Sequence, residues 1–161
     1  MTAHALSLPR DFEDFVAILN QHGVDVVLVG GYALGVHGFV RATADIDFLY
    51  RCTVANVDQL CTALTQFGAP PHLISATALL DPDSVTFFGV PPLRIDLLSS
   101  ISGVDSEMVF LTALESHVAG HRMLVIGRQA LELNKKASGR VKDRRDLRAL
   151  SNIDRKRTKS S

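Results

Sequence analysis

The sequence predicts one α/β domain in which helices flank a mixed β-sheet, with α+β as a near equivalent. The chain has 161 residues, of which 47% are hydrophobic and 21% charged, and this size and balance suit a single core. Segments with helical spacing of apolar residues alternate with short β-branched runs. No repeat or linker divides the chain. We therefore predict a domain over residues 1–151 and a basic, disordered tail over 152–161.

The first half of the chain is expected to form three helices and two strands. Helical spacing of apolar residues predicts the long helices, and alternating or β-branched runs predict the strands. A glycine pair, Gly30-Gly31, turns the chain from the first strand into a short helix. The predicted elements are helix 9–22, strand 24–29, a short helix over YALGVHG, a loop and strand within 39–50, and helix 54–67.

The second half is expected to supply a strand hairpin, a further strand and three helices. Gly89 and the Pro91-Pro92 pair would form the turn between the paired strands. The predicted elements are strands 84–90 and 93–99, helix 111–120, strand 122–126, and helices 129–136 and 142–150.

Composition excludes some classes of protein. No apolar run approaches the roughly 18 residues that cross a bilayer, and the first residues lack a signal-peptide pattern. We therefore expect a cytoplasmic protein with no membrane partner. Cys52 and Cys61 show no metal-ligand spacing, and reduced, packed thiols are favoured over a disulfide.

The zero formal net charge conceals a strong segregation of charge. Residues 1–134 carry 6 basic and 14 acidic side chains, whereas residues 135–161 carry 11 basic and 3 acidic ones. Such a basic segment is either a solvated surface or a binding surface for a polyphosphate or an RNA backbone. The sequence leaves both alternatives open.

Acidic residues occur where strands are otherwise apolar. Asp45 and Asp47 are two apart in a predicted strand, so they project from one face about 6.6 Å apart at Cα. Two neighbouring carboxylates without a cation would repel each other, and a hard divalent ion with oxygen ligands resolves this. Asp96, in RIDLL, repeats the pattern. It is expected to complete the metal site and to accept a proton if its strand lies beside the first, or else to pair with Arg94.

The motifs VGGYALGVHG, RATADID and RIDLL, spanning residues 24–98, resemble the minimal nucleotidyltransferases of the DNA polymerase beta superfamily. More narrowly, they resemble the bacterial branch of AbiEii-type toxin nucleotidyltransferases. The wider superfamily usually has serine where this chain has Gly31, so backbone N–H groups would hold the phosphate. KKASGRVKDRRDLRAL resembles the C-terminal segment of the same branch more loosely.

The resemblance implies a nucleoside triphosphate donor and Mg²⁺ or Mn²⁺ held by Asp45, Asp47 and Asp96. It places phosphate near Gly30 and Gly31, with Lys135 and Lys142 neutralising the leaving pyrophosphate. Arg41 and Thr43 would steady their loop or contact phosphate, and His37 is not assigned a catalytic role. Nearby basic residues, Arg144, Arg145 and Arg148, could bind an acceptor phosphate.

The sequence does not decide whether the acceptor hydroxyl belongs to RNA such as tRNA, to a protein or to a small molecule. The resemblance also implies a toxin-antitoxin setting, with an antitoxin or a second copy of the chain as a partner. The alternative to catalysis is a regulatory module of the same fold that binds nucleotide or RNA. Water as the nucleophile would make the protein a phosphohydrolase.

Overall fold

A six-stranded mixed β-sheet organises the computed structural model, which describes residues 6–160. The strand order is β3-β4-β2-β1-β6-β5. The strands are β1 (Val26–Val29), β2 (Asp45–Tyr50), β3 (Val85–Phe88), β4 (Arg94–Leu98), β5 (Leu114–Val118) and β6 (His121–Val125). The α-helices are α1 (Arg10–Gln21), α2 (Gly30–Val36), α3 (Val54–Phe67), α4 (Ala76–Leu79), α5 (Ser106–Thr112), α6 (Arg128–Ser138) and α7 (Val141–Lys159), and Pro71–Leu73 form a 3₁₀ helix. The predicted α/β class is confirmed.

Parallel and antiparallel pairings alternate across the sheet. The central strand β1 is antiparallel to β2 and parallel to β6. Strand β2 runs parallel to β4, and β3 and β5 are antiparallel edge strands. Because β2 and β4 are paired neighbours, acidic residues in register on the two strands lie side by side on the same face of the sheet.

One part of the core lies between the sheet and helices α1 and α3. Phe12 and Phe15 of α1 are fully buried, and the Phe15 ring lies 5.6 Å from Phe48 of β2 and 5.0 Å from Phe67 of α3, centroid to centroid. Tilted aromatic contacts of this kind add to the stability gained from burying their area. This packing fixes β2, the strand that carries two of the acidic residues.

The predicted helix over 111–120 is wrong, because this segment contains β5 and the hairpin to β6. Ser116 and Val118 are buried while their neighbours face outward, which is the two-residue period of a strand. Ala119 and Gly120 turn the chain with φ of 51° and 80°, as a two-residue hairpin requires. This period is hidden in the sequence, because the apolar residues Leu111, Ala113 and Leu114 lie just before it and α5 ends among them at Thr112.

The predicted disordered tail is helical as far as Lys159, so α7 does not end at Leu150. No glycine or proline interrupts α7. Arg128 stabilises the middle of this helix by donating to the Leu150 carbonyl at 2.7 Å and to Asp154 at 2.7 Å. Residue 161 lies outside the described part. Within residues 6–160, no helix has the length and apolar character needed to span a bilayer.

Candidate functional site

Three carboxylates converge where β2 and β4 pair. The register places Asp47 directly beside Asp96 and Asp45 beside Arg94. Asp45, Asp47 and Asp96 each direct one oxygen into a cluster in which all three atoms lie within 4.8 Å of one another. The sequence therefore correctly predicted the common face of Asp45 and Asp47, and the structure adds the parallel pairing that brings Asp96 to them.

Arg94 compensates part of this negative charge. Its guanidinium donates to Asp45 Oδ2 at 2.8 Å and to the two oxygens of Asp96 at 2.9 and 3.0 Å. Within residues 6–160, no basic side chain lies at salt-bridge distance from Asp47. The ion pair expected as an alternative for Asp96 is therefore present, and it coexists with the cluster.

The surroundings of Asp47 disfavour the charged form of its carboxyl group. Burial, followed by repulsion from Asp45 and Asp96, raises the pKa of Asp47 to about 7, because each disfavours its charged form. A hard divalent cation fits this site, since all three donors are carboxylate oxygens and one of them has no cation of its own. Asp45, Asp47 and Asp96 would hold the ion through lone pairs that Arg94 leaves free.

Gly30 lies against the cluster at the start of α2. Its φ is +72°, and a Cβ added there would lie 2.1 Å from Asp47 Oδ2. At Gly31, a Cβ would lie 2.9 Å from Thr43 Oγ1 and 3.3 Å from an Arg41 nitrogen. The glycine pair is thus required by close approach on both sides, and the space beside Gly31 is already filled by the loop that precedes β2.

The cluster opens into a cleft of about 420 Å³. Gly30 and the three aspartates form one side of its lining, while Lys142 of α7 and Arg140, which precedes that helix, supply positive charge. The Lys142 ammonium is close enough to lower the pKa of Asp47 in opposition to burial. A cleft with carboxylates on one wall and exposed cations on another can hold a metal-bound polyphosphate.

Lys135 and Arg41 belong to a network of ion pairs around Asp146, which for Arg41 fits the expected alternative of steadying its loop. Lys135, expected to reach the triphosphate, is buried and donates to Asp146 at 2.7 Å and to Asp143 at 3.5 Å. Arg41 donates to both oxygens of Asp146 at 2.9 and 3.0 Å. Burial alone would raise the pKa of Asp146, but the hydrogen bonds from Arg41 and Lys135 outweigh it and hold that pKa below its usual range.

The remaining residues singled out from the sequence have local roles. Thr43 Oγ1 donates to the Asp45 carbonyl at 3.0 Å, which steadies the strand end that carries the acidic pair. His37 is buried, and its Nε2 donates to the Ile126 carbonyl at 2.7 Å. Burial lowers the His37 pKa against the opposing effect of that hydrogen bond, so the neutral ring links α2 to the end of β6.

Arg140 is a cleft residue that sequence reasoning missed, and Arg94 was considered only as a partner of Asp96. The signal for Arg94 was its position two residues before Asp96, on the same strand face. Arg140 carried no such signal, because it is one of many cations in the basic segment. Its Nε donates to Asp143 at 2.9 Å, which fixes it at the mouth of the cleft.

In comparisons with known proteins, no family model matches the chain and no curated protein matches it.

Replacing Gly30 by alanine is expected to weaken metal binding, whereas Gly23→Ala should cost stability alone. Both glycines have positive φ, +72° and +62°, so either Cβ adds backbone strain of roughly 1–2 kcal/mol. Only the Cβ at position 30 would also displace the Asp47 carboxylate, because nothing lies within 4 Å of the one at position 23. Titration calorimetry with Mn²⁺ and urea unfolding would separate the effects. Equal Mn²⁺ affinity in the two variants would contradict the expectation.

Proposed function

We propose that the protein is a cytoplasmic nucleotidyltransferase that moves a nucleoside monophosphate from a nucleoside triphosphate to an acceptor hydroxyl, with Mg²⁺ or Mn²⁺ as the cofactor. The observation that carries this proposal is the convergence of Asp45, Asp47 and Asp96 from two parallel strands. The resemblance of the surrounding motifs to minimal nucleotidyltransferases supports the same reaction class.

In such a transfer, each residue of the cleft would have its own role. Asp45, Asp47 and Asp96 would hold the metal, which would neutralise the triphosphate and make the α-phosphorus easier to attack. Asp96, held in place by Arg94, accepts the proton of the acceptor hydroxyl. The acceptor oxygen bonds to the α-phosphorus while the bond to the bridging oxygen of the β-phosphate breaks. Lys142 and Arg140 stabilise the charge that develops on the departing pyrophosphate.

The test is transfer of label from each α-labelled nucleoside triphosphate to total RNA or to protein, with Mg²⁺ or Mn²⁺. Wild type is compared with Asp45→Asn, which removes one charged ligand and preserves shape. Asp58→Asn is the matched control, because Asp58 is exposed on α3 and is not part of the cleft lining. We expect label on an acceptor with wild type and Asp58→Asn, and a loss of roughly 10²- to 10³-fold with Asp45→Asn.

Other products would assign the site differently. Free nucleoside monophosphate without labelled acceptor would identify a phosphohydrolase. Nucleotide bound with metal and recovered unchanged under every condition would identify a regulatory binding module. Label transfer that is equal in wild type and Asp45→Asn would show that the carboxylate cluster takes no part in the reaction.

A further inference from the structure

The carboxylate cluster is neutralised on one side only. Arg94 donates to Asp45 and Asp96, and its guanidinium carbon lies 5.2 Å from the ring centroid of Phe87 on the edge strand β3. Asp47 has no basic side chain at salt-bridge distance within residues 6–160. The cluster therefore has one side that a cation already occupies and another side that remains for an added cation.

The guanidinium of Arg94 makes the contacts that a second metal ion would make. Sites that transfer phosphoryl groups often hold two metal ions about 3.5–4 Å apart, and such ions bind carboxylate oxygens. Nη2 of Arg94 bridges Asp45 Oδ2 at 2.8 Å and Asp96 Oδ2 at 3.0 Å, and Nε donates to Asp96 Oδ1 at 2.9 Å. A metal ion that bridged Asp45 and Asp96 on this side would require the lone pairs that these hydrogen bonds use.

Contacts on several sides hold the guanidinium in this position. Its two hydrogen bonds to Asp96 have the two-point geometry with which arginine binds a carboxylate most specifically. The Phe87 ring adds a cation–π contact. A divalent ion that displaced Arg94 would break both ion pairs and the ring contact. An ion that binds Asp47 and the remaining lone pairs of Asp45 and Asp96 breaks none of them.

The charges of the cluster also favour a single divalent ion. Three ionised carboxylates carry three negative charges, Arg94 supplies one positive charge, and one divalent ion supplies the other two. A second divalent ion would make the cluster positive and would lie close to the guanidinium, where like charges repel each other. The negative charge of a triphosphate would instead meet Lys142 and Arg140, which line the cleft.

We infer that Arg94 takes the place of a second divalent ion, so that the carboxylate cluster binds one Mg²⁺ or Mn²⁺ ion and not two. This inference rests on the proposed function, which supplies the metal, and it gives Arg94 a positioning role at the same site. The ion binds on the side of Asp47 that faces Gly30, while the guanidinium keeps Asp96 oriented for the acceptor hydroxyl.

The experiment counts the Mn²⁺ ions bound per protein molecule, without nucleoside triphosphate. Electron paramagnetic resonance of the free ion gives the number bound, and titration calorimetry gives the affinities. We expect one site in wild type and two sites in Arg94→Gln, which removes the charge and keeps a polar side chain. The first ion should also bind roughly tenfold more tightly to Arg94→Gln, because a repelling charge a few ångströms away is missing.

Matched variants separate the charge of Arg94 from its other properties. Arg94→Lys keeps the charge and should bind one ion. Arg51→Gln is the control, because Arg51 also pairs with two carboxylates, Asp25 and Glu107, and lies over an aromatic ring, Phe110, but is not part of the cleft lining. It should bind one ion with the affinity of wild type. Circular dichroism verifies folding, and Arg94→Met tests the same loss of charge if Arg94→Gln does not fold.

The inference and the proposed function fail in distinguishable ways. Two ions in wild type, or one ion in a folded Arg94→Gln or Arg94→Met variant, would overturn the role of Arg94 and leave the proposed transfer standing. One ion in wild type and two in the neutral variant, together with no label transfer by wild type, would support the role of Arg94 and overturn the proposed function. No ion bound by wild type would overturn both.

Discussion

Asp47→Asn is expected to strongly reduce the proposed nucleotidyl transfer while making the metal-free protein more stable at neutral pH. The loss of activity should be roughly 10²- to 10³-fold, because the variant lacks a charged group needed to stabilise the transition state. The gain in the free energy of unfolding should be on the order of 1–3 kcal/mol above pH 7, since one unit of pKa shift corresponds to about 1.36 kcal/mol. Function and stability are opposed at this position.

The pH dependence follows from the direction of the Asp47 pKa shift. Burial and the neighbouring carboxylates raise this pKa from 3.8 to about 7. Between these values the folded protein retains a proton that the unfolded chain has lost. The contribution of Asp47 to stability is therefore full below about pH 4 and is lost as the pH rises through about 7. The asparagine variant has no such proton, so its advantage should grow across this window and then level off.

Thermal unfolding with chelator and with saturating Mn²⁺, at several pH values, would measure both effects. Wild type should gain stability from Mn²⁺ because binding to the native state shifts the equilibrium. Asp47→Asn should gain much less, while Asp58→Asn should follow wild type throughout. A metal-free Asp47→Asn variant that is less stable than wild type at pH 8 would show that the charged form of Asp47 does not destabilise the folded protein.

Asp146→Asn is expected to lower the free energy of unfolding by about 3–5 kcal/mol, the usual cost of removing one partner of a buried ion pair. The side chain of Asp146 is 2% exposed and receives hydrogen bonds from Arg41 and Lys135. The amide would leave the ammonium of Lys135, itself 5% exposed, with the more distant Asp143 as its main compensation. The network joins α6, α7 and the loop before β2, so its loss should loosen all three.

Urea unfolding compares this variant with Asp154→Asn, in which the exposed pair with Arg128 is broken. That control should lose no more than about 1 kcal/mol. A Lys135→Met/Asp146→Asn double variant should cost less than the sum of the two single changes, because the two residues share one interaction. If the costs of the two single changes were additive, Lys135 and Asp146 would belong to separate interactions.

The Asp146 pKa is held low, so the contribution of Asp146 to stability is present at neutral pH and is lost as the pH falls below about 4.

Local patterns were sufficient for most of the fold. The α3 helix over Val54–Phe67 was predicted with its observed bounds, because its apolar spacing is regular and Gly68 ends it in the left-handed conformation. The hairpin β3–β4 was also predicted from Gly89 and the proline pair. The β5 strand was missed because its two-residue period follows directly on the end of a helix. The extent of α7 was missed because exposed cations say little about whether a segment is ordered.

The site was predictable where its chemistry is local and not where it depends on tertiary contacts. Asp45 and Asp47 share a face because of strand geometry alone. Their meeting with Asp96 depended on the pairing of β2 with β4, which no local motif specifies. Lys135 and Lys142 are equivalent as sequence features, yet one is buried by the carboxylates of α7 and the other faces the cleft. Only the packing of α6 against α7 separates them.

The strands that carry the carboxylates are joined by a long excursion through α3, α4 and β3, so their pairing is a non-local event in folding. Non-local strand pairing forms slowly because loop closure must precede it. The oxygen cluster cannot exist before this pairing, so a divalent cation that binds the cluster would stabilise the folded protein and not the unfolded chain. Under the proposed function, a chain in which β2 and β4 have not yet paired would lack the site for metal and nucleoside triphosphate.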